Sequence, residues 1–179
     1  MDVLITGASK GIGYALAKKF ALQDNCTLYV VSRAAKLLAD LKAACQVINK
    51  KTIVHTIPFD LTTLQTGVLP SELSGVHFDF VVNNAGLLIN KTFESYTTEE
   101  ILGMLSTNFV APVLLIQKIL PYLGGASPSH IVNIGSMGGF QGSVKFPGLS
   151  IYSASKAALA SVTECLALEL SDKNIFFKI

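Results

Sequence analysis

Tryptophan is absent from this chain, and only 15% of its 179 residues are charged. Its ten phenylalanines and five tyrosines are scattered and do not interleave with basic residues. That distribution excludes a stacking platform for single-stranded nucleic acid. The net charge of +2 is too small to argue for a phosphate backbone as partner. Cys26, Cys45 and Cys165 are widely spaced and form no CxxC. An odd set without a framework is expected as buried, inert thiols in a reducing compartment, with the cytoplasm as the default location. His55, His77 and His130 are equally dispersed, so no metal site is expected from ligand spacing. No basic segment followed by an apolar stretch and a small-residue cleavage site opens the chain, so no signal peptide is evident. The most apolar long stretch, Phe109–Leu123, is interrupted by Pro112, Gln117, Lys118 and Pro121. It reads as too broken for a membrane span.

Hydrophobic residues, by contrast, make up 50% of the chain. That richness suits a parallel sheet buried on both faces, whose strands read as unbroken apolar runs. Strands are predicted at Val3–Ile5, Thr27–Val31, Thr52–Ile57, Phe78–Val82 and His130–Ile134. Helices are predicted at Gly11–Leu22, Ala35–Ile48, Thr98–Leu123 and Ser150–Ser171, with a short helical turn near Leu61–Leu73. Strand and helix alternate, which means parallel strands joined by right-handed crossovers. The expected fold class is α/β, a doubly wound (Rossmann) mostly parallel sheet with helices on both faces, and residues 1–179 form one domain. In the first helix, Ile12, Ala15, Leu16 and Phe20 are expected to cover the core side. The Thr98–Leu123 helix opens on Thr97-Thr98-Glu99-Glu100, whose hydroxyl and acidic groups suit an N-terminus. It is apolar on more than one face.

A glycine-rich turn, Thr6-Gly7-Ala8-Ser9-Lys10-Gly11-Ile12-Gly13, joins the first strand to the first helix. Its glycines let backbone approach a pyrophosphate, and the helix start offers free N–H groups. Gly7, Ser9, Lys10, Gly11, Ile12 and Gly13 are therefore candidate cofactor residues. The second strand ends Val30-Val31-Ser32-Arg33. No carboxylate stands where one would hold the 2′-hydroxyl of an NAD ribose. Arg33 instead presents a planar cation suited to a phosphate, with Lys10 as a second charge and Ser32 beside it. The pattern predicts a preference for NADP(H).

Tyr152 and Lys156 lie four residues apart on a predicted helix, a spacing that puts both on one face. A phenol alone holds its proton until about pH 10, and a neighbouring cation favours its release. The pair reads as a proton donor and acceptor.

Four motifs then stand in order: TGxxxGIG at Thr6–Gly13, NNAG at Asn83–Gly86, a strand ending in Ser136, and YxxxK at Tyr152–Lys156. Together they resemble the short-chain dehydrogenase/reductase family, its 3-oxoacyl-carrier-protein-reductase-like branch above all, over essentially the whole chain. The resemblance implies an NADPH-dependent interconversion of a ketone or aldehyde with an alcohol. In it Tyr152 would be the general acid, Lys156 would hold the nicotinamide ribose and favour release of the tyrosine proton, and Ser136 would bond the substrate oxygen. Asn108 would hold a water in the proton relay. Asp60 and Leu61 would flank the adenine, and Asn84, Ala85 and Gly86 the adenosine ribose. Asp60 equally suits an N-cap, and Ser136 a turn. The family commonly forms homodimers or homotetramers through helices that here are Thr98–Leu123 and Ser150–Ser171.

Two departures stand out. The segment Met137–Ile151 is a little long for the family, leaving Ser143 and Ser150 as weaker candidates for the serine; Phe140, Phe146 and Pro147 would line a substrate pocket or pack the loop. The sequence stops at Asn174–Ile179, read as the start of a sixth strand, where family members continue through a loop over the substrate. The expectation from that is a truncated chain, with a catalytically weak NADP(H)-binding or interaction module as the alternative function.

Overall fold

The computed structural model describes residues 1–179. Six parallel strands form one sheet: β1 (Asp2–Thr6), β2 (Thr27–Ser32), β3 (Ile53–Pro58), β4 (Phe80–Asn83), β5 (Ser129–Asn133) and β6 (Ile175–Lys178). Their order is β3-β2-β1-β4-β5-β6. The helices are α1 (Gly11–Phe20), α2 (Ala35–Ile48), α3 (Thr98–Leu105), α4 (Ala111–Ile119) and α5 (Ser150–Glu169). Short 3₁₀ turns at Leu61–Gln65 and Ser71–Leu73 fill the region predicted as a helical turn.

Alternation along the strands builds two cores. Val3 and Ile5 of β1, with Leu28 and Val30 of β2, pack with Ala17 of α1 and Leu38 and Leu41 of α2. Leu4 and Val31, from the same strands, join Leu115, Ile116 and Ile119 of α4 on the other face. Successive side chains of a strand point to opposite faces, so a strand apolar at every position must be covered twice. This accounts for the high hydrophobic content.

Two sequence expectations need correction. On α1, Ile12 is 59% exposed and Ala15 is also exposed, while Gly13 and Ala17 are buried. Leu16 and Phe20 pack against the core as expected, but the closest approach to the loops beneath is made by glycine: a Cβ on Gly13 would lie 2.6 Å from Asn84 Nδ2. The predicted Thr98–Leu123 helix is not continuous α-helix. A π turn at Ser106–Val110 separates α3 from α4, and a 3₁₀ turn at Leu120–Tyr122 ends the run. Pro112 explains the interruption, since it has no N–H to offer the Asn108 carbonyl four residues earlier. The whole run Thr98–Tyr122 is long and apolar enough to cross a membrane by length and composition. Here its buried side chains pack in the core.

Candidate active site

The chain reverses direction across the sheet between β1 and β4. After two strands, β2 and β3, laid outward from β1, the fourth strand returns to pair with β1 on its free side. The crevice at the carboxyl ends of such strands is where open α/β sheets bind ligands. Thr6 ends β1 and Asn83 ends β4, so the glycine turn and the NNAG turn leave neighbouring strands side by side. Thr6 ties them together. Its buried hydroxyl accepts from the amides of Asn84 (3.0 Å) and Ala85 (3.1 Å) and donates to the Val82 carbonyl. Asn84 Nδ2 returns bonds to the carbonyls of Thr6 and Gly7, at 3.0 and 3.1 Å. Gly7 has φ of +64°, and a Cβ there would fall 2.7 Å from Ala85 Cα, so only glycine permits this approach.

A cleft of about 270 Å³ opens above these turns. Gly7, Ser9, Lys10, Ser32, Arg33, Asp60, Leu61, Asn84, Ala85 and Gly86 line it together with Val31, Phe59, Thr62 and Thr107. Gly11 and Ile12, at the exposed start of α1, and the buried Gly13 lie outside the lining. Arg33 is 78% exposed at the rim, with Nη1 3.8 Å from Asp60 Oδ2. Asp60 is also the cap of the Leu61–Gln65 turn, accepting from the Thr62 amide (3.0 Å) and hydroxyl (2.8 Å) through Oδ1. Burial pushes its carboxyl up, but the two Thr62 bonds and the Arg33 charge outweigh this and hold it below the ordinary 3.8.

Lys156, on the second turn of α5, is 4% exposed. Its ammonium donates to the Ile134 carbonyl at 2.6 Å, and burial pushes it below the ordinary lysine value of 10.5. Asn108 sits at the centre of the π turn, fully buried. Its Oδ1 accepts from the Leu87 amide (2.7 Å), and its Nδ2 donates to the Leu87 carbonyl (2.8 Å) and to Ser155 Oγ (2.9 Å). Ser155 in turn donates to the Tyr152 carbonyl at 2.7 Å. The asparagine thus ties the π turn to the first turn of α5. Gly86 leaves open the space these groups share: a Cβ there would lie 3.5 Å from Asn108 Oδ1 and 4.0 Å from Lys156 Nζ.

Ser136 follows β5. Its Oγ accepts from the Gly138 amide at 3.3 Å and caps a 3₁₀ turn at Met137–Gly139, which leaves the hydroxyl proton free to donate. The alternative serines are placed differently. Ser143 donates to the Phe140 carbonyl and accepts from Lys145 within its own loop, and Ser150 is exposed at the start of α5. Phe140, Phe146 and Pro147 line a second cavity that includes Ser153 and Ala157 but neither Ser136 nor Tyr152.

The short chain dehydrogenase family model matches residues 2–179. This chain belongs to the short-chain dehydrogenase family. Among curated relatives, it is 37% identical over 171 residues to the ketoacyl reductase HetN of Nostoc sp., covering 94% of this chain and 58% of that protein. It therefore spans less than two thirds of HetN's length. Among solved structures, a short-chain dehydrogenase from Sphingobium yanoikuyae in complex with NADPH superposes with a TM-score of 0.78 at 30% identity, over 98% of this chain and 68% of that one. The Pseudomonas aeruginosa RhlG/NADP active-site complex superposes with a TM-score of 0.83 at 29% identity, over 98% and 69%. The doubly wound sheet is the family's fold.

Three residues of this site are not among the sequence candidates. Thr6 was visible in the glycine motif, but its partners come from a turn 78 residues away. Ser155 lay inside YxxxK as an unassigned position. Thr107 had no signal beyond its place beside Asn108.

Proposed function

We propose that the protein is an NADPH-dependent oxidoreductase that interconverts a ketone or aldehyde with an alcohol, Tyr152 acting as general acid and base. One observation carries this reading. The buried Lys156 ammonium and the Asn108 side chain converge on the space left by Gly86, a residue that lines the glycine-turn cleft just beyond the end of β4. Residues 1–179 act as one NADP-binding domain.

The cleft fits the cofactor. Gly86 leaves room beside Lys156, Arg33 and Lys10 supply positive charge in the lining of the same cleft, and no carboxylate ends β2. Gly7, Ser9, Asn84 and Ala85 would hold the pyrophosphate and ribose with backbone and short side chains, Asp60 and Leu61 would flank the adenine, and Arg33 would bond a 2′-phosphate. When bound, the reduced nicotinamide supplies the hydride. The chain's own residues manage charge and proton. Ser136 donates a hydrogen bond to the carbonyl oxygen as negative charge builds on it. Tyr152 delivers the proton that completes the alcohol, and takes it back in the reverse direction. Lys156 binds the ribose beside Tyr152, and Asn108 and Ser155 hold the turn of α5 that carries the tyrosine.

The ketoacyl reductase name of HetN and the nicotinamide complexes among the structural neighbours support the reaction class. Cys26 and Cys45 are buried as expected, whereas Cys165 is exposed on α5; three free thiols suit a reducing cytoplasm. Leu102 on α3 and Leu168 on α5 are 56% and 78% exposed, which supports a homodimer or homotetramer through these helices. Titrating the protein into NADPH and following nicotinamide fluorescence tests binding, and NADPH oxidation with a panel of ketones and aldehydes tests turnover. Enhanced fluorescence with turnover of at least one carbonyl is expected. Binding without turnover of any carbonyl would refute the assigned chemistry, and a lower KM for NADH than for NADPH would refute the cofactor.

A further inference from the structure

Two loops meet beside the start of α5. One, residues 87–97, runs from the NNAG turn to α3; the other, residues 137–149, runs from Ser136 to α5. Tyr96 joins them. Its phenol lies 2.8 Å from the Ile89 carbonyl and 2.7 Å from the Gly148 carbonyl, donating its one proton between the two. The Lys91 amide bonds the same Gly148 carbonyl at 3.1 Å. Gly148 has φ of +81° and packs on Asn90, so the chain is held in a conformation only glycine takes easily. Two residues later α5 begins, and its first hydrogen bond, Ser153 N to Leu149 O at 2.8 Å, closes the turn that contains Tyr152. From the other side Ser155, itself held by Asn108, donates to the Tyr152 carbonyl. The tyrosine's turn is thus pinned at two points, and Tyr96 supplies the one that no motif accounts for.

We propose that Tyr96 is a positioning residue for Tyr152, acting through Gly148 to fix the first turn of α5. This rests on the assignment of Tyr152 as the proton donor. The loops it joins are otherwise exposed: Phe93, Phe140 and Phe146 are 72%, 40% and 61% exposed, so little packing would replace the clasp. A neighbouring ion pair provides the contrast. Lys91 Nζ bonds both carboxylate oxygens of Glu100 at 2.8 Å and steadies the same loop without touching Gly148.

The test compares Tyr96→Phe with Lys91→Met in the full chain. Tyr96→Phe removes the phenol oxygen and keeps the ring, and Lys91→Met removes the ion pair and keeps the amide on Gly148. Amide hydrogen exchange reports on the turn whether or not the enzyme turns over. In Tyr96→Phe, exchange of residues 149–153 is expected to speed up roughly fivefold, the effect of one lost net hydrogen bond. kcat is expected to fall roughly tenfold through misplacement of the donor, with the Kd for NADPH unchanged. Lys91→Met should leave both within twofold of the parent. Unchanged exchange at 149–153 in Tyr96→Phe, or an equal effect in both variants, would overturn the proposal. A parent with no carbonyl turnover would refute the catalytic reading instead, while the exchange result would still decide whether the clasp exists.

Discussion

Lys156 carries opposing demands. A lysine that is 4% exposed loses hydration, and one carbonyl bond at 2.6 Å replaces only part of it. The unfolded chain keeps the proton up to about the ordinary value of 10.5, whereas the folded chain releases it at lower pH. Between those two values the unfolded state binds more protons, so this group's contribution to stability rises with pH. Lys156→Met should therefore be favoured relative to the parent near pH 7, and its relative advantage should shrink as pH is raised toward 10.5; urea denaturation at several pH values reads this out. A gap that does not change with pH would show that the ammonium is hydrated in the folded chain. Arg33 makes the complementary prediction. Arg33→Ala should raise the KM for NADPH by roughly 10- to 100-fold, the scale of a hydrogen bond to a charged group, and leave the KM for NADH nearly unchanged. Equal losses for both cofactors would place Arg33 outside the phosphate site. At this scale the sequence names its candidates wherever the proposed chemistry sits in one short motif, as at Tyr152–Lys156. It names fewer where two distant residues act together. In the sequence Pro112 is only a break in an apolar run, yet its missing N–H lies four residues after Asn108 and accounts for the π turn that holds this asparagine.

Elements are joined here by buried polar chains as well as by apolar contact. Asn83 of β4 donates to Asn133 of β5 at 2.8 Å, Asn133 donates to Thr163 of α5 at 2.8 Å, and Thr163 closes the chain on the Leu159 carbonyl at 2.6 Å. All three side chains are at most 3% exposed. Asn83 Oδ1 is left without a partner. Thr163→Val keeps the shape and strips the acceptor from Asn133, so it should cost about 1–3 kcal/mol for the unsatisfied donor. A denaturation midpoint equal to the parent's would contradict this link. The element pattern was legible because strands buried on both faces have an unmistakable composition. Details that depend on close approach were not. The exposed Ile12 and buried Gly13 of α1 follow from contact with Asn84, a neighbour that periodicity cannot supply. The early part of α3 was better specified: the Thr-Thr-Glu-Glu run marks a helix N-terminus, and there Thr97 and Glu100 form a reciprocal capping box.

For the whole molecule, the strand order explains why four motifs spread over 150 residues of sequence meet at one edge. Each follows a parallel strand or opens the helix after it, and parallel strands bring all such ends to the same side. A ligand that binds only the folded chain must stabilise it by mass action. NADPH at about 100 times its Kd should add about 2.7 kcal/mol, and NADH at the same concentration distinctly less. Equal thermal shifts for the two would contradict the assigned preference. The motifs and their order were readable in advance because short-range sequence encodes strand ends and turns. The clasp at Tyr96 and the hub at Thr6 were not, since their partners lie 52 and 78 residues away and meet only after the sheet has formed.

The most direct measurement of the central claim is the single-turnover oxidation of NADPH by a carbonyl substrate in Tyr152→Phe beside the parent chain, with the NADPH Kd measured on both. The account predicts a fall in rate of roughly 10²- to 10⁴-fold and a Kd that stays within about twofold. A variant that reduces the carbonyl as fast as the parent would contradict it.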